Sequence, residues 1–393
     1  MEDTLCWAEV DLGALAANIT HLKSRIGGEE MILVAKADGY GHGACTIAMA
    51  AQRAGIERIA VATFREAWEL RRAGIYARIL VLGPFLEEEA AFGLPHGVEF
   101  TLPSGEHARI LERVARQSAI PARCHLKLDT GLNRLGMRPQ EALELLSELE
   151  SSRFIVWSGC MTHLAAGTGR LDPATGKQLA LFDRFVKVAR ERNYLRQADL
   201  HVANSAAALS GIAEMHGPYD ACRIGIAAYG VAPHPSFQTE ELEPVLSVRT
   251  RIVQLKHVAT GERVGYDGTW TARRPTRLAV LPVGYADGLA WRERNMSSVL
   301  VRGHRAPLVG RISMDLTTID VTGIEGVQLG CEVTLLGASG GDRIRAEEIA
   351  ANLGTIPYTV LCSLGKRVRR IAISADVEGG RLQQLGSKAL HDP

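Results

Sequence analysis

The chain has no excess of either charge. Its 45 Lys and Arg residues are balanced by 44 Asp and Glu, which leaves no footprint for a nucleic acid or an acidic membrane as partner. Long apolar runs are also missing. The longest are strand-sized, well short of the ~20 residues that a bilayer span needs. The N-terminus, MEDTLCWAEVDLG, has neither a basic segment nor an apolar one behind it, so no secretory signal is expected. The seven cysteines, Cys6, Cys45, Cys124, Cys160, Cys222, Cys331 and Cys362, are scattered, odd in number and never spaced CxxC. That pattern fits reduced thiols in a cytoplasm and argues against a disulfide framework or a zinc site, so no metal is expected. No Walker sequence and no G-x-G-x-x-G follows a strand. HExxH is absent, as is any fixed-period repeat.

What is present is an alternation. In Met31–Gly43, MILVAKADGYGHG, five apolar residues end at Lys36 and a glycine-rich turn follows. A short apolar run closed by turn residues reads as a buried strand. Lys36 then stands at the strand's C-terminal end. Such a lysine either snorkels to water or is kept neutral by burial, in which case it can act as nucleophile or base. Seven further strand candidates follow: Arg58–Thr63, Arg78–Gly83, Val98–Leu102, Arg123–Thr130, Ile155–His163, Asp199–Ser205 and Ala221–Gly230. Helical periodicity lies between them, most clearly at Ala44–Ala54, Phe64–Ala73, Gly105–Arg116, Pro139–Leu149 and Asp172–Arg192. Asp11 is placed to cap a first helix carrying Leu12, Leu15, Ile19 and Leu22. This is the count of a (β/α)8 barrel. An open doubly wound sheet usually has fewer strands and a switch-point motif, which this chain lacks.

After Pro233 the texture changes to short alternating strands with glycine turns, such as SVRTRIVQLKHV, RLAVLPVGYA and CEVTLLG. This predicts a compact, mostly-β C-terminal domain. The expected division is a barrel over 11–237 and a β domain over 238–378, with a possible first strand from 1–10 and a disordered tail over 379–393. Pro233–Pro244 reads as the linker, Arg343–Leu353 as a helix and LCSLGKRVRRIAI as a final strand.

The active site of such a barrel lies at the C-terminal mouth of its strands. Lys36, Lys127, Asp129, Asn133, Arg134, Thr162, His163, Asn204, Ser205 and Arg223 all fall at or near candidate strand ends. Any one of them has an ordinary structural explanation. Together, lysine, arginine, histidine and an Asn-Ser pair at one mouth describe an anion-binding catalytic pocket. Ser205 also starts a helix, whose free N–H groups suit a phosphate.

At these residues the chain resembles the alanine racemase family. WAEVDLGAL, VAKADGYGHG, DTGLNRLG, MTHLA, HVANSAA, RIGIAAYG, GYDGTW, PVGYADG and VGRISMD occur in family order between about Trp7 and Arg370. The resemblance implies pyridoxal 5'-phosphate as cofactor, bonded covalently to Lys36. It implies that Tyr40, Asn204, Ser205, Gly225 and Ile226 surround the phosphate and that Arg223 pairs with the pyridine nitrogen. His163 is implied beside the ring and Arg134 near the substrate carboxylate. Lys127 stands at a position often carbamylated in the family. Tyr266 is implied as a second base, reaching the site from the other subunit of a homodimer, with Tyr285 and Met314 at the substrate entrance. Two departures stand out. Lys366 occupies the place where some relatives carry a phosphate-contacting tyrosine, and Ser313 replaces a cysteine.

The implied reaction is interconversion of L- and D-alanine. Lys36 serves the D-substrate and Tyr266 the L-substrate, and the product supplies peptidoglycan. A broad-specificity or serine racemase on the same scaffold is the alternative. A decarboxylase or aldolase is disfavoured by the GYDGTW tyrosine, and a non-catalytic carrier by the second domain.

Overall fold

The computed structural model of this 393-residue chain describes residues 5–27, 29–165, 173–210, 219–234, 236–237, 241–290, 298–375 and 382–384. The first strand, β1 (Cys6–Asp11), lies outside the barrel. The next eight build it: β2 (Glu30–Val34), β3 (Arg58–Val61), β4 (Arg78–Val81), β5 (Val98–Leu102), β6 (Ala122–Lys127), β7 (Ile155–Met161), β8 (Asp199–His201) and β9 (Ala221–Ile224). All are parallel, in the order β8-β7-β6-β5-β4-β3-β2-β9. Parallel strands covered on both faces read as continuous apolar runs, and Met31, Ile32, Leu33 and Val34 are all buried. The seam between β8 and β9 is bridged outside the ladder, by Asp220 N to Leu200 O (2.8 Å) and Arg223 N to Ala203 O (2.9 Å).

The expected helices are present. Asp11 caps Leu12–Arg25 by accepting from Ala14 N at 3.0 Å. Phe64–Arg72 starts with a capping box between Thr63 and Glu66, a pair that satisfies two otherwise orphaned N–H groups. Ala44–Arg53, Gly105–Ser118, Pro139–Glu148 and Pro173–Glu191 complete the set. Asp172, the predicted start of the last, lies outside the described residues. The barrel interior departs from the usual aliphatic filling: Arg58, Glu99, His125, His201 and Arg223 are buried there among the apolar side chains.

The C-terminal part is the expected β domain. Its main sheet runs His304–Pro307, Ser298–Val301, Glu332–Ser339, β10 (Leu246–Arg251), β1, Arg369–Ala375 and Leu382–Gln384, with Asp342–Ile344 pairing Glu332–Ser339. The N-terminal strand therefore sits between two strands made more than 230 residues later. Trp7 pairs with Arg249 on one side and Arg369 on the other. A three-stranded sheet (Gln254–Val258, Thr276–Leu281, Thr317–Asp320) and the two-stranded hairpin Arg263–Val264/Trp270–Thr271 complete the domain.

Three local readings are corrected. LCSLGKRVRRIAI is not one strand: Pro357–Cys362 is a helix, and the strand begins only at Arg369. Pro357 at the first helical position, after an extended Ile356, favours the helical start. Arg343–Leu353 divides into the strand Asp342–Ile344 and the helix Ala346–Leu353. Leu382–Gln384, inside the stretch read as a frayed tail, pairs antiparallel with Arg369–Ala375. Among the described residues, no helix is long and apolar enough to cross a membrane.

Candidate active site

Lys36 follows β2 at the C-terminal mouth of the barrel. The three residues after it adopt left-handed backbone, with φ of 52° at Ala37, 54° at Asp38 and 62° at Gly39. Two of the three are not glycine, and each left-handed non-glycine residue costs roughly 1–2 kcal/mol. Neighbouring groups hold the turn. The Glu66 carboxylate accepts from Ala37 N at 2.7 Å, and Asp38 Oδ1 accepts from Ala44 N at 2.9 Å. Gly41 has φ of 80°, and a Cβ there would overlap the Leu361 carbonyl. Only glycine lets the lysine turn lie this close to the helix Pro357–Cys362 of the β domain.

The Lys36 side chain lines a cavity of about 550 Å³. Lys127, Arg134, Arg223 and His163 line it as well, and among the described residues no Asp or Glu does. The missing carboxylate is decisive for charge: the cavity fits an anion. The same environment disfavours protons. Burial first, and then Arg134, lower the Lys36 amine from its ordinary value. Lys127 is pushed down to about 8 by burial and by Arg223, Arg134 and Lys36. Burial and the same cations push His163 down to about 3, so its ring is neutral at physiological pH. Arg223 falls to about 10 through burial and keeps its charge.

Arg223 is fixed from several sides. Its Nη1 donates to His201 O (2.6 Å) and lies 2.9 Å from His201 Nδ1. Its Nη2 donates to Thr162 O (2.7 Å) and Val202 O (3.2 Å) and lies 3.4 Å from His163 Nδ1. At the β8–β9 seam, Asn204 caps a short helix, Ser205–Leu209, by accepting from Ala207 N. The cap is thus Asn204, and Ser205 is the first helical residue. Ser205 Oγ accepts from Gly225 N at 3.0 Å. A Cβ on Gly225 would overlap Tyr40 Oη, so the glycine lets that hydroxyl enter the pocket. Ile226 opens a 3₁₀ turn, Ile226–Tyr229, whose first N–H groups face out of the turn.

The remaining predicted residues are elsewhere. Tyr266 sits at the tip of the Arg263–Thr271 hairpin and is 70% exposed. Tyr285 and Met314 are exposed too and adjacent, Tyr285 N bonding Ser313 O and Ala286 N bonding Met314 O, each at 3.1 Å. None of the three lines the Lys36 cavity of its own chain. Lys366 is exposed and also absent from the lining. Tyr358, which the sequence reading missed, lines the cavity instead, its ring centroid 5.9 Å from that of Tyr40. It lies three residues before the stretch read as a final strand, in a segment assigned to no element; on a helix starting at Pro357 its ring lies against the lysine turn.

The N-terminal domain model of alanine racemase matches residues 10–233, and the C-terminal domain model matches 245–372. The chain belongs to the alanine racemase family. Alanine racemase of Symbiobacterium thermophilum is 39% identical over 365 residues, which cover 93% of this chain and 96% of that protein. The structure of Bacillus anthracis alanine racemase with bound L-Ala-P has a TM-score of 0.85 at 32% identity and covers 98% of each chain. That of Bartonella henselae alanine racemase, with covalently bound pyridoxal phosphate, has a TM-score of 0.84 at 30% identity and covers 94% of this chain and all of that one. The barrel with its β-rich C-terminal domain is the fold of alanine racemases.

Proposed function

We propose that the chain is a pyridoxal-phosphate-dependent alanine racemase that moves a proton between Lys36 and a tyrosine on the opposite face of the substrate. The observation that carries this reading is a cavity, lined among the described residues by cations and no carboxylate, built around a lysine of lowered proton affinity. The cavity's cationic groups suit a phosphate and a substrate carboxylate at once. The cofactor, when bound, withdraws electrons from the substrate's Cα and acidifies its proton.

This chain's residues do the rest. Lys36 bonds the cofactor and, once released, exchanges a proton at Cα on one face. Tyr40 Oη, Ser205 Oγ and the N–H groups of Gly225 and Ile226 hold the phosphate, with Asn204 fixing the start of the helix beside it. Arg223 donates to the ring nitrogen and keeps its own proton, because a guanidinium remains charged even at about 10. The ring thus stays a modest electron sink. His163 is neutral and lies against Arg223. Arg134 orients the substrate carboxylate. Lys127 is crowded by three cations; with CO₂ its amine forms a carbamate and releases a proton, turning a repelled cation into an anion that holds Arg134.

Tyr266 supplies the second base in the partner subunit's cavity. It is exposed and does not line its own chain's cavity, and Tyr285 and Met314 are exposed as well. The assembly is a head-to-tail C2 homodimer with two shared sites. General acid–base groups of this kind each contribute ~10²–10⁴-fold. A cytoplasmic location and D-alanine supply for peptidoglycan complete the proposal.

Complementation tests it. Lys36→Ala and Tyr266→Phe chains are each inactive alone. Mixed after dissociation, they form heterodimers with one intact site, and about a quarter of wild-type activity returns. No recovery despite heterodimer formation refutes the shared site. Chiral chromatography after supplying L-alanine, L-serine and L-lysine side by side ranks the substrates; serine ahead of alanine favours the alternative racemase.

A further inference from the structure

Behind Arg223 the barrel interior holds a continuous chain of hydrogen bonds. Arg78 grips Glu99 through Nε to Oε1 at 2.6 Å and Nη2 to Oε2 at 3.2 Å. Glu99 Oε2 lies 2.9 Å from His125 Nε2, His125 Nδ1 lies 2.8 Å from His201 Nε2, and His201 Nδ1 lies 2.9 Å from Arg223 Nη1. Strands β5, β6, β8 and β9 supply one member each, all exposed by 4% or less. Branched aliphatic residues usually fill these layers, so packing does not account for the chain.

Its protons can be assigned. A guanidinium only donates, so His201 Nδ1 accepts. A neutral imidazole that accepts at Nδ1 donates at Nε2, so His125 Nδ1 accepts in turn. His125 then donates from Nε2 to Glu99, which must be ionised. Every link has one donor and one acceptor only when both rings are neutral Nε2–H tautomers. The electrostatics agree. Burial raises Glu99, yet its bonds from His125 and Arg78 prevail and hold it down to about 2. Burial lowers both histidines.

The backbone makes room for this chain. The β6–β7 register shifts between Cys124 and His125 and brings Gly159 opposite His125. A Cβ on Gly159 would overlap the His125 ring. Arg223 needs such a neighbour: its hydrogen bonds go to three carbonyls and two imidazoles, and among the described residues no carboxylate pairs with it.

We propose that Glu99, His125 and His201 are positioning residues for Arg223, fixing the lone pair that His201 presents and relaying a carboxylate's negative charge to a guanidinium with no carboxylate beside it. The functional half of this inference rests on the reading that Arg223 faces the cofactor's ring nitrogen. The relayed charge makes the Arg223 N–H groups weaker donors to that nitrogen, which limits electron withdrawal and suppresses transamination as a side reaction.

Nitrogen-15 spectra of histidine-labelled wild-type enzyme, with and without cofactor, test the column directly. His125 and His201 are assigned by the signals lost in His125→Asn and His201→Asn. Both are expected as neutral Nε2–H rings that do not titrate from about pH 6 to about pH 9. An imidazolium or an Nδ1–H ring at either position overturns the proposal. Glu99→Gln removes the charge and is expected to raise pyruvate formed per racemisation about tenfold, the effect of one pKa unit on Arg223. Gly159→Ala displaces the His125 ring and leaves the charges in place. It is expected to give mixed His201 tautomers and about tenfold weaker cofactor binding, the scale of a lost supporting partner. Folded variants with wild-type pyruvate ratio and cofactor affinity overturn the functional half. Should Glu99→Gln fail to fold, Gly159→Ala and the wild-type spectra still decide. If Arg223→Lys leaves the bound cofactor's ring-nitrogen signal unmoved, the cofactor reading fails while the tautomers still judge the column.

Discussion

Replacing Lys127 with methionine is expected to stabilise the cofactor-free protein at neutral pH while harming its function. The Lys127 side chain is 6% exposed. Burial foremost, and then Arg223, Arg134 and Lys36, bring it from an ordinary 10.5 to about 8, against a smaller opposing pull from Asp129. The folded protein therefore gives up this proton near pH 8, and the unfolded chain gives it up near 10.5. Between those values the unfolded state holds more protons, so stability rises with pH. Below about pH 8 the penalty stands at full size, and above 10.5 it has vanished. At 1.36 kcal/mol per pKa unit the penalty is about 3 kcal/mol. Methionine keeps an unbranched stem and has no charge to desolvate. At about 2–4 °C per kcal/mol for a domain of this size, the variant's barrel should melt about 6–12 °C higher. Scanning calorimetry of both cofactor-free proteins in CO₂-free buffer measures this. Adding bicarbonate should raise the wild type alone, because only a lysine can become a carbamate. A variant that melts at or below the wild type at neutral pH without CO₂ refutes the reasoning. So does a gap that widens as pH rises toward 10.

Tyr266→Phe should cripple both reaction directions by ~10²-fold or more and leave the cofactor's absorbance intact; near-normal turnover in either direction counts against the second base. Arg223→Glu should raise pyruvate during turnover with L-alanine, and an unchanged pyruvate yield contradicts the assigned contact with the ring nitrogen. Gly225→Ala forces a methyl against Tyr40 Oη and should cost about 1–3 kcal/mol of cofactor affinity, read by equilibrium titration. Glu99 lies near 2 instead of an ordinary 4.5, so its stabilisation of about 3 kcal/mol is present above pH 4.5 and lost as pH falls toward 2. The stability gap between wild type and Glu99→Gln in urea should therefore hold steady near neutrality and close only in that acid range.

The barrel was legible because its strands are apolar runs buried on both faces, and a helical period separates most of the pairs. The mouth residues were legible through their motifs. Less local features were not. Leu361 and Cys362 read as the start of a strand because a short apolar run looks alike in strand and helix. Tyr358, on the same helix, was assigned to no element, and Lys366, singled out by the resemblance, faces water. The Glu99–His125–His201 column left only a faint trace, polar residues at alternate positions of otherwise buried strands. The linkage itself needs four strands brought together. The degree of exposure of Tyr266 could not be read from sequence, because a short motif does not fix how far its hairpin stands out from the domain.

The placement of β1 has a consequence for how the chain is made. Cys6–Asp11 leaves the ribosome first, yet its two neighbours, β10 and Arg369–Ala375, are translated about 240 and 360 residues later. At about 5–20 residues per second the ribbon waits roughly 12–50 s for its first partner, with both hydrogen-bonding edges bare. A growing barrel thus trails an open edge that invites other nascent chains. Cutting the gene between the two domains should leave each half with a gap or an orphan strand, and the halves should become soluble only when produced together.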